Sequence, residues 1–217
     1  MKDRIVLLGP PASGKGTQAA LLSATFGIPH GSTGEMLRAE KAKGSDIGRE
    51  ADEFTRDGKL FPDELAMKVV TKWLDGKARF ILDGFPRTIG QARSFDEELK
   101  RRGMPLDVVY HFELPDSMIR DRITTRLTCS SCGSVFNESF HKVTLQSPCP
   151  KCGAPLMRRN DDTHEALDER LVQYRELTLP VAGYYRERGI LSEIDVTAGR
   201  EAVYKNLYSD LLAGDAA

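Results

Sequence analysis

Apolar runs of four or five residues alternate with longer stretches in which apolar positions recur every three or four residues. The runs predict strands near Arg4–Leu8, Arg79–Leu82, Val108–Phe112 and Ile190–Ile194, with a short one near Ile28–His30. The periodic stretches predict helices over Lys15–Phe26, Pro62–Leu74, Ile89–Arg101, Pro115–Arg126, His164–Arg188 and Arg200–Leu212. Pro180 is expected to kink or divide the fifth. Strands that read as continuous apolar runs, each followed by a helix, argue for a parallel sheet covered on both faces.

Two segments break the alternation. Ser32–Phe61 is polar and helical, and Leu127–Thr163 contains every cysteine. Both read as lobes inserted into one core, made of 1–31, 62–126 and 164–217. The expected fold is α/β, with a five-stranded parallel sheet flanked by helices.

Between the first strand and the first helix stands Gly9-Pro10-Pro11-Ala12-Ser13-Gly14-Lys15-Gly16-Thr17. A strand, a glycine-bearing loop and a helix with Lys in its first turn form a phosphate-binding loop. The helix N-terminus offers unpaired N–H groups and a positive dipole end. Gly9 and Gly14 permit close backbone approach, and Lys15 reaches the β- and γ-phosphates of a nucleotide. The fold class is therefore P-loop NTPase-like.

The hydroxyl of this loop is on Thr17, one residue later than usual, because Gly16 follows the Lys. In this the loop resembles the nucleoside monophosphate kinases, and the adenylate kinase family in particular. That family usually has Gly where this chain has Ala12, a change tolerable only if the residue keeps φ below zero. Ser32-Thr33-Gly34-Glu35-Met36-Leu37-Arg38 matches a second family signature, and Asp83-Gly84-Phe85-Pro86-Arg87 a third. The resemblance runs from about Ile5 to about Ala213.

The resemblance implies an enzyme that moves the γ-phosphoryl group of ATP to AMP, giving two ADP. The ATP contacts it implies are Gly9, Ser13, Gly14, Lys15, Gly16 and Thr17, with Arg122, Arg126, Val135, Phe136 and Ala198. For AMP it implies Thr33, Arg38, Lys59, Leu60, Phe61, Gly84, Arg87, Gln91, Arg159 and Arg170. Segment 32–61 is then the AMP-binding lobe and 127–163 a lid. The catalytic set is Lys15, Arg87, Arg122, Arg126, Arg159 and Arg170. Arg158 leaves a one-residue ambiguity beside Arg159. Four residues apart, Arg122 and Arg126 are expected on one helix face, where an anion between them would remove their repulsion. Asp83, at the end of an apolar strand, suits orientation of Mg2+ through water. The acceptor phosphate is already an anion, so charge balance and alignment are needed and a general base is not. The four histidines are accordingly not catalytic candidates.

Cys129-Ser-Ser-Cys132-Gly and Cys149-Pro-Lys-Cys152-Gly are paired metal knuckles. Zn2+ fits best, with iron as an alternative and two disulfides as the bland one. With four thiolates the ion has no open position, so its role is structural. A lobe of this size also needs an ordering device.

The chain has 217 residues, with 31 Lys+Arg against 32 Asp+Glu and a formal charge of −1, which argues against a broad basic nucleic-acid surface. Its first residues contain too short an apolar run for a signal peptide, and nothing reads as a membrane span. A cytoplasmic monomer is expected. Three other readings stay open: a kinase for UMP, CMP or GMP, a zinc-ribbon nucleic-acid module, and a P-loop switch or ATPase.

Overall fold

The computed structural model describes residues 1–55, 62–159 and 162–213, with the backbone alone over 51–55. In chain order, strand β1 (Arg4–Leu8) leads through the glycine loop into α1 (Lys15–Phe26). Then come β2 (His30–Ser32), α2 (Thr33–Ala42), α3 (Asp46–Thr55), α4 (Asp63–Leu74), β3 (Phe80–Asp83) and α5 (Ile89–Arg101). They are followed by β4 (Val108–Glu113), α6 (Asp116–Thr124), β5 (Arg126–Cys129), β6 (Val135–Asn137), α7 (Glu138–His141) and β7 (Leu156–Met157). The chain continues with α8 (His164–Gln173), a π-helical turn (Tyr174–Thr178), α9 (Leu179–Glu187), β8 (Leu191–Asp195) and α10 (Arg200–Ala213).

Five parallel strands form the main sheet in the order β2-β3-β1-β4-β8. The period of two in β1 sends Ile5 and Leu7 to one face and Val6 and Leu8 to the other. The first face packs with Leu22 of α1, Leu167 and Leu171 of α8 and Leu207 of α10. The second packs with Val70 of α4, Phe95 of α5 and Tyr185 of α9. Burial on both faces makes the strands continuous apolar runs, which is why they are visible in the sequence.

The helices stop where their local chemistry says they should. Gly27 closes α1 at φ 64°, donating its N–H to the Ser23 carbonyl. Thr88 caps α5 by accepting from the Gln91 N–H at 3.0 Å, and Thr163 caps α8 by accepting from the Ala166 N–H at 3.2 Å. The predicted long helix His164–Arg188 is divided, as Pro180 requires. Proline has no N–H to give to the Glu176 carbonyl, and the π turn lies directly before it.

Two expectations need correction. Ala12 does not keep φ below zero; it sits at φ 58°, in the left-handed region, because the loop has to turn there to bring Ser13 and Gly14 round Lys15. Arg122 and Arg126 do not share a helix face. Helix α6 ends at Thr124, β-branched Thr124-Thr125 precede the chain's change of direction, and Arg126 opens β5.

The cysteine segment has its own order, absent from the sequence reading. Its antiparallel strands β6-β5-β7 enclose a small core of Leu127, Phe136, Val143 and Leu156. Among the described residues, no helix is long and apolar enough to cross a membrane.

Candidate active site

The glycine loop is shaped from inside. A Cβ on Gly9 would lie 2.7 Å from the Phe112 carbonyl oxygen, so only glycine lets the loop rest on β4. Gly14 has φ 94° and open space on the side where a side chain would project. Lys15 Nζ donates to the carbonyls of Gly9 at 2.9 Å and Pro10 at 2.7 Å, and to Ser13 Oγ at 3.1 Å. Burial, opposed by Asp83 and reinforced by Arg87 and Arg126, pulls the Lys15 ammonium from 10.5 down to about 8. The loop thus holds a cation that gains from a nearby anion. Thr17 is exposed on the first turn of α1.

Gly16 has a steric reason of its own. A Cβ there would stand 3.3 Å from Asp83 Oδ2, so its absence lets the β3 carboxylate lie against the loop. One residue further, Gly84 has φ 77°. Its carbonyl accepts from Thr33 Oγ1 at 2.9 Å and from Arg87 Nε at 2.7 Å. A Cβ on Gly84 would stand 3.0 Å from Arg87 Nη2 and 3.1 Å from Thr33 Oγ1. Adjacent residues at the end of β3 therefore face two different clusters, Asp83 the loop and Gly84 the pair Thr33–Arg87. Burial, with Arg170 and Arg38 nearby, pulls the Arg87 guanidinium below its ordinary range. Arg38 itself is exposed on α2.

Gln91 is buried and fully oriented. Its Oε1 accepts from the Arg87 N–H at 2.7 Å, and its Nε2 donates to Asp63 Oδ1 at 2.9 Å. Asp63 also receives the Thr88 hydroxyl at 2.8 Å. It fits only because residue 90 is glycine, whose Cβ would stand 2.7 Å from Asp63 Oδ2. Thr178, from the π turn, donates its hydroxyl to the Arg87 carbonyl at 3.1 Å. The sequence reading missed Asp63 and Thr178, since neither belongs to a local motif.

The remaining arginines stand on α6 (Arg122), α8 (Arg170) and the cysteine segment (Arg126, Arg159), with Arg126 in electrostatic reach of Lys15 and Arg170 of Arg87. Arg122 extends to the Ala12 and Val196 carbonyls at 3.5 and 3.4 Å, and burial pulls its pKa down. It thereby bridges the loop and the turn carrying exposed Ala198. Arg126 grips Asp162 with both Nε (2.8 Å) and Nη2, and Arg170 Nη1 lies 3.7 Å from the same carboxylate. Arg159 Nε donates to Thr128 Oγ1 at 3.0 Å, whereas Arg158 is taken up by Glu138 and the Thr124 carbonyl. Phe136 is buried in the lobe's own core and meets His141 edge-on, while Val135 is exposed. Lys59, Leu60 and Phe61 lie outside the described residues.

In the cysteine lobe no disulfide forms, and the four Sγ atoms lie within 4.8 Å of one another. Cys129 and Cys152 are 3.4 Å apart, and Cys132 and Cys149 3.7 Å. Four thiolates at about 2.3 Å from a tetrahedral ion would be about 3.8 Å apart, so the set suits such an ion. N–H groups of Ser131 and Cys132 point at Cys129 Sγ, and that of Lys151 at Cys149 Sγ, all at 3.4 Å. Gly133 and Gly153, at positive φ, close each knuckle by donating to the Cys129 and Cys149 carbonyls.

These features coincide with a known family. The family profile described as "Adenylate kinase" matches residues 7–190. An adenylate kinase of Archaeoglobus fulgidus is 42% identical over 206 residues, covering 94% of this chain and 95% of the relative. That of Moorella thermoacetica is 41% identical over 203 residues, 92% and 94%. That of Clostridium botulinum (strain Loch Maree / Type A3) is 40% identical over 215 residues, 98% and 99%. A family profile matching residues 7–190, together with relatives about 40% identical over nearly the whole chain, places the chain in the adenylate kinase family.

Proposed function

We propose that this chain transfers the γ-phosphoryl group of MgATP to AMP, reversibly, by holding the two nucleotides end to end across the Asp83–Gly84 junction. The observation that carries the reading is that junction itself. Consecutive residues face a phosphate-binding loop on one side and the Thr33–Arg87 pair, suited to an anion, on the other, which supports a reading with two phosphate groups meeting there.

In this reading the loop N–H groups and Lys15 hold the β- and γ-phosphates, with Gly9, Ser13, Gly14 and Gly16 shaping the cradle and Thr17 offering its hydroxyl. Thr17 and Asp83 are the residues that would orient the Mg2+ accompanying ATP, which would offset the charge of the phosphates. Arg122 lies over the loop, with Val135, Phe136 and Ala198 bordering the ATP adenine. Thr33, Arg38, Gly84 and Arg87 hold the acceptor phosphate, Gln91 reads the adenine edge, and Lys59, Leu60 and Phe61 enclose adenine and ribose. Arg126, Arg159 and Arg170 balance the charge developing between the nucleotides. Of the neighbouring pair Arg158 and Arg159, the Asp161-Asp162 that follows favours Arg159 for that task. No side chain has to remove a proton, because the attacking phosphate oxygen is already anionic.

Zinc bound by Cys129, Cys132, Cys149 and Cys152 would hold 127–163 as a lid that excludes water from the transfer. Residues 32–61 form the AMP lobe on the remaining core, in a cytoplasmic monomer. A coupled assay of ADP formation with AMP, UMP, CMP and GMP tests the assignment. AMP is expected to be preferred by at least about a hundredfold, as a site built to satisfy a base's hydrogen-bonding edge discriminates. Equal rates with the other acceptors would refute it.

A further inference from the structure

Beside the base of the phosphate loop, where His111 pairs with Leu8, and on the α9 side of the sheet, β4 and β8 bring His111, Glu113 and Glu193 together. His111 pairs in register with Glu193, and Glu113 lies two residues further along the same strand face. One ligand atom from each lies within 4.8 Å of the others. His111 is only 5% exposed, yet its Nδ1 has no hydrogen-bond partner. The nearest carboxylate oxygen, Glu113 Oε1, is 4.0 Å away, too far for a hydrogen bond. The other ring nitrogen, Nε2, meets Tyr174 Oη at 2.8 Å.

We infer that His111 Nδ1, Glu113 and Glu193 form a binding site for a first-row divalent cation, separate from the four-cysteine centre. The chemistry of each group agrees. With the ring proton on Nε2, donated to the Tyr174 oxygen, Nδ1 presents a bare lone pair to two carboxylates. That is a costly arrangement for a buried nitrogen unless a cation stands between them. A hydrogen bond from the non-ligating ring nitrogen is the usual way a metal-binding histidine is oriented. A proton is a poor substitute, since burial, with Arg186 and Lys15 adding to it against Glu193, lowers the pKa of the ring.

The geometry needs little adjustment. Ligand atoms around an ion with bonds of about 2.1 Å lie about 3.4 Å apart, so from separations of up to 4.8 Å the carboxylates have to move in by up to about 1.4 Å. Glu113 and Glu193 have side chains 54% and 48% exposed, which leaves room for that movement. Arg186 engages Oε1 of Glu193 and leaves its other oxygen for the ion. One imidazole and two carboxylates with positions left for water suit Zn2+, Co2+ or Mn2+ over Mg2+. Such an ion would tie edge strand β8 to β4 and, through Tyr174, to the π turn.

The test uses the full chain with its lid site filled by Zn2+ and excess metal removed, dialysed against Zn2+ alone. Wild type is expected to take up a further zinc ion per chain, with a rise in melting temperature. H111Q and E193Q are each expected to keep the lid zinc, lose the further ion and lose the thermal shift. Should H111Q fail to fold, E193Q and E113Q, both at exposed carboxylates, decide the matter. A wild type that takes up no further ion overturns the inference, as does any folded variant of the three that retains it.

Discussion

Asp162 receives two N–H groups of Arg126 in a bidentate pair, and Arg170 closes on the same carboxylate at 3.7 Å. The side chains of Asp162 and Arg126 are 4% and 15% exposed, so this is an ion pair largely out of water. A single aspartate thus supplies the negative charge facing both arginines.

Removing that charge by Asp162→Asn is expected to destabilise the free protein by about 3 kcal/mol, the usual cost of leaving a buried charge unpartnered. Nucleotides should restore much of the loss, because their phosphates replace the missing carboxylate. Denaturant unfolding with and without ATP plus AMP reads both effects. A variant as stable as wild type without ligand would show that the pair carries no such weight.

Lys15 sets a pH dependence. Its pKa falls from 10.5 in the unfolded chain to about 8 in the folded one, so the unfolded chain binds more protons between those values. The cost of burying the charged ammonium is therefore full below pH 8 and is relieved as pH rises through the window. ATP favours the charged form, so its binding should take up a proton and weaken by about tenfold per pH unit above 8. Calorimetry in buffers of different ionisation enthalpy measures the uptake. Lys15→Arg, always charged, should bind with no such slope.

At Gly84 the space is already full. Ala would put a Cβ about 3 Å from both Arg87 and Thr33 and hold a side chain at φ 77°. A displacement of these groups by a fraction of an ångström is expected to cost about a hundredfold in kcat/KM for AMP. The affinity for ATP should be unchanged, because the phosphate loop is untouched. Steady-state kinetics with each substrate varied separates the two.

Stripping the metal from the cysteine lobe should unfold it locally. Ions in tetrathiolate sites contribute on the order of 10 kcal/mol to folding, more than the small core of Leu127, Phe136, Val143 and Leu156 can supply. Chelation, or Cys132→Ser, is expected to lower the melting temperature and kcat while ATP still binds the phosphate loop. Unchanged activity in the metal-free protein would contradict the structural role.

Features that were legible in the sequence are local ones. The phosphate loop, the Asp83-Gly84 turn and the two cysteine knuckles each depend on spacings of a few residues, and the buried strands on unbroken apolar runs. What was not legible acts across the chain. Asp162 and Arg126 are 36 positions apart, Gln91 and Asp63 28, Thr178 and Arg87 91. A periodic pattern likewise could not show that α6 ends at Thr124, and so it placed Arg126 on the wrong element. Nor is the positive φ of Ala12 legible locally, because it is imposed by loop closure and not by the residue's own preference.

The central claim is that one chain seats two nucleotides at once with their phosphates meeting at Asp83 and Gly84. Its most direct test is titration calorimetry with two adenosines joined through a polyphosphate. The account predicts one molecule bound per chain, more tightly than ATP or AMP, with both nucleotides unable to bind afterwards. A chain that binds the two-headed compound no better than ATP, and still accepts AMP beside it, would contradict it.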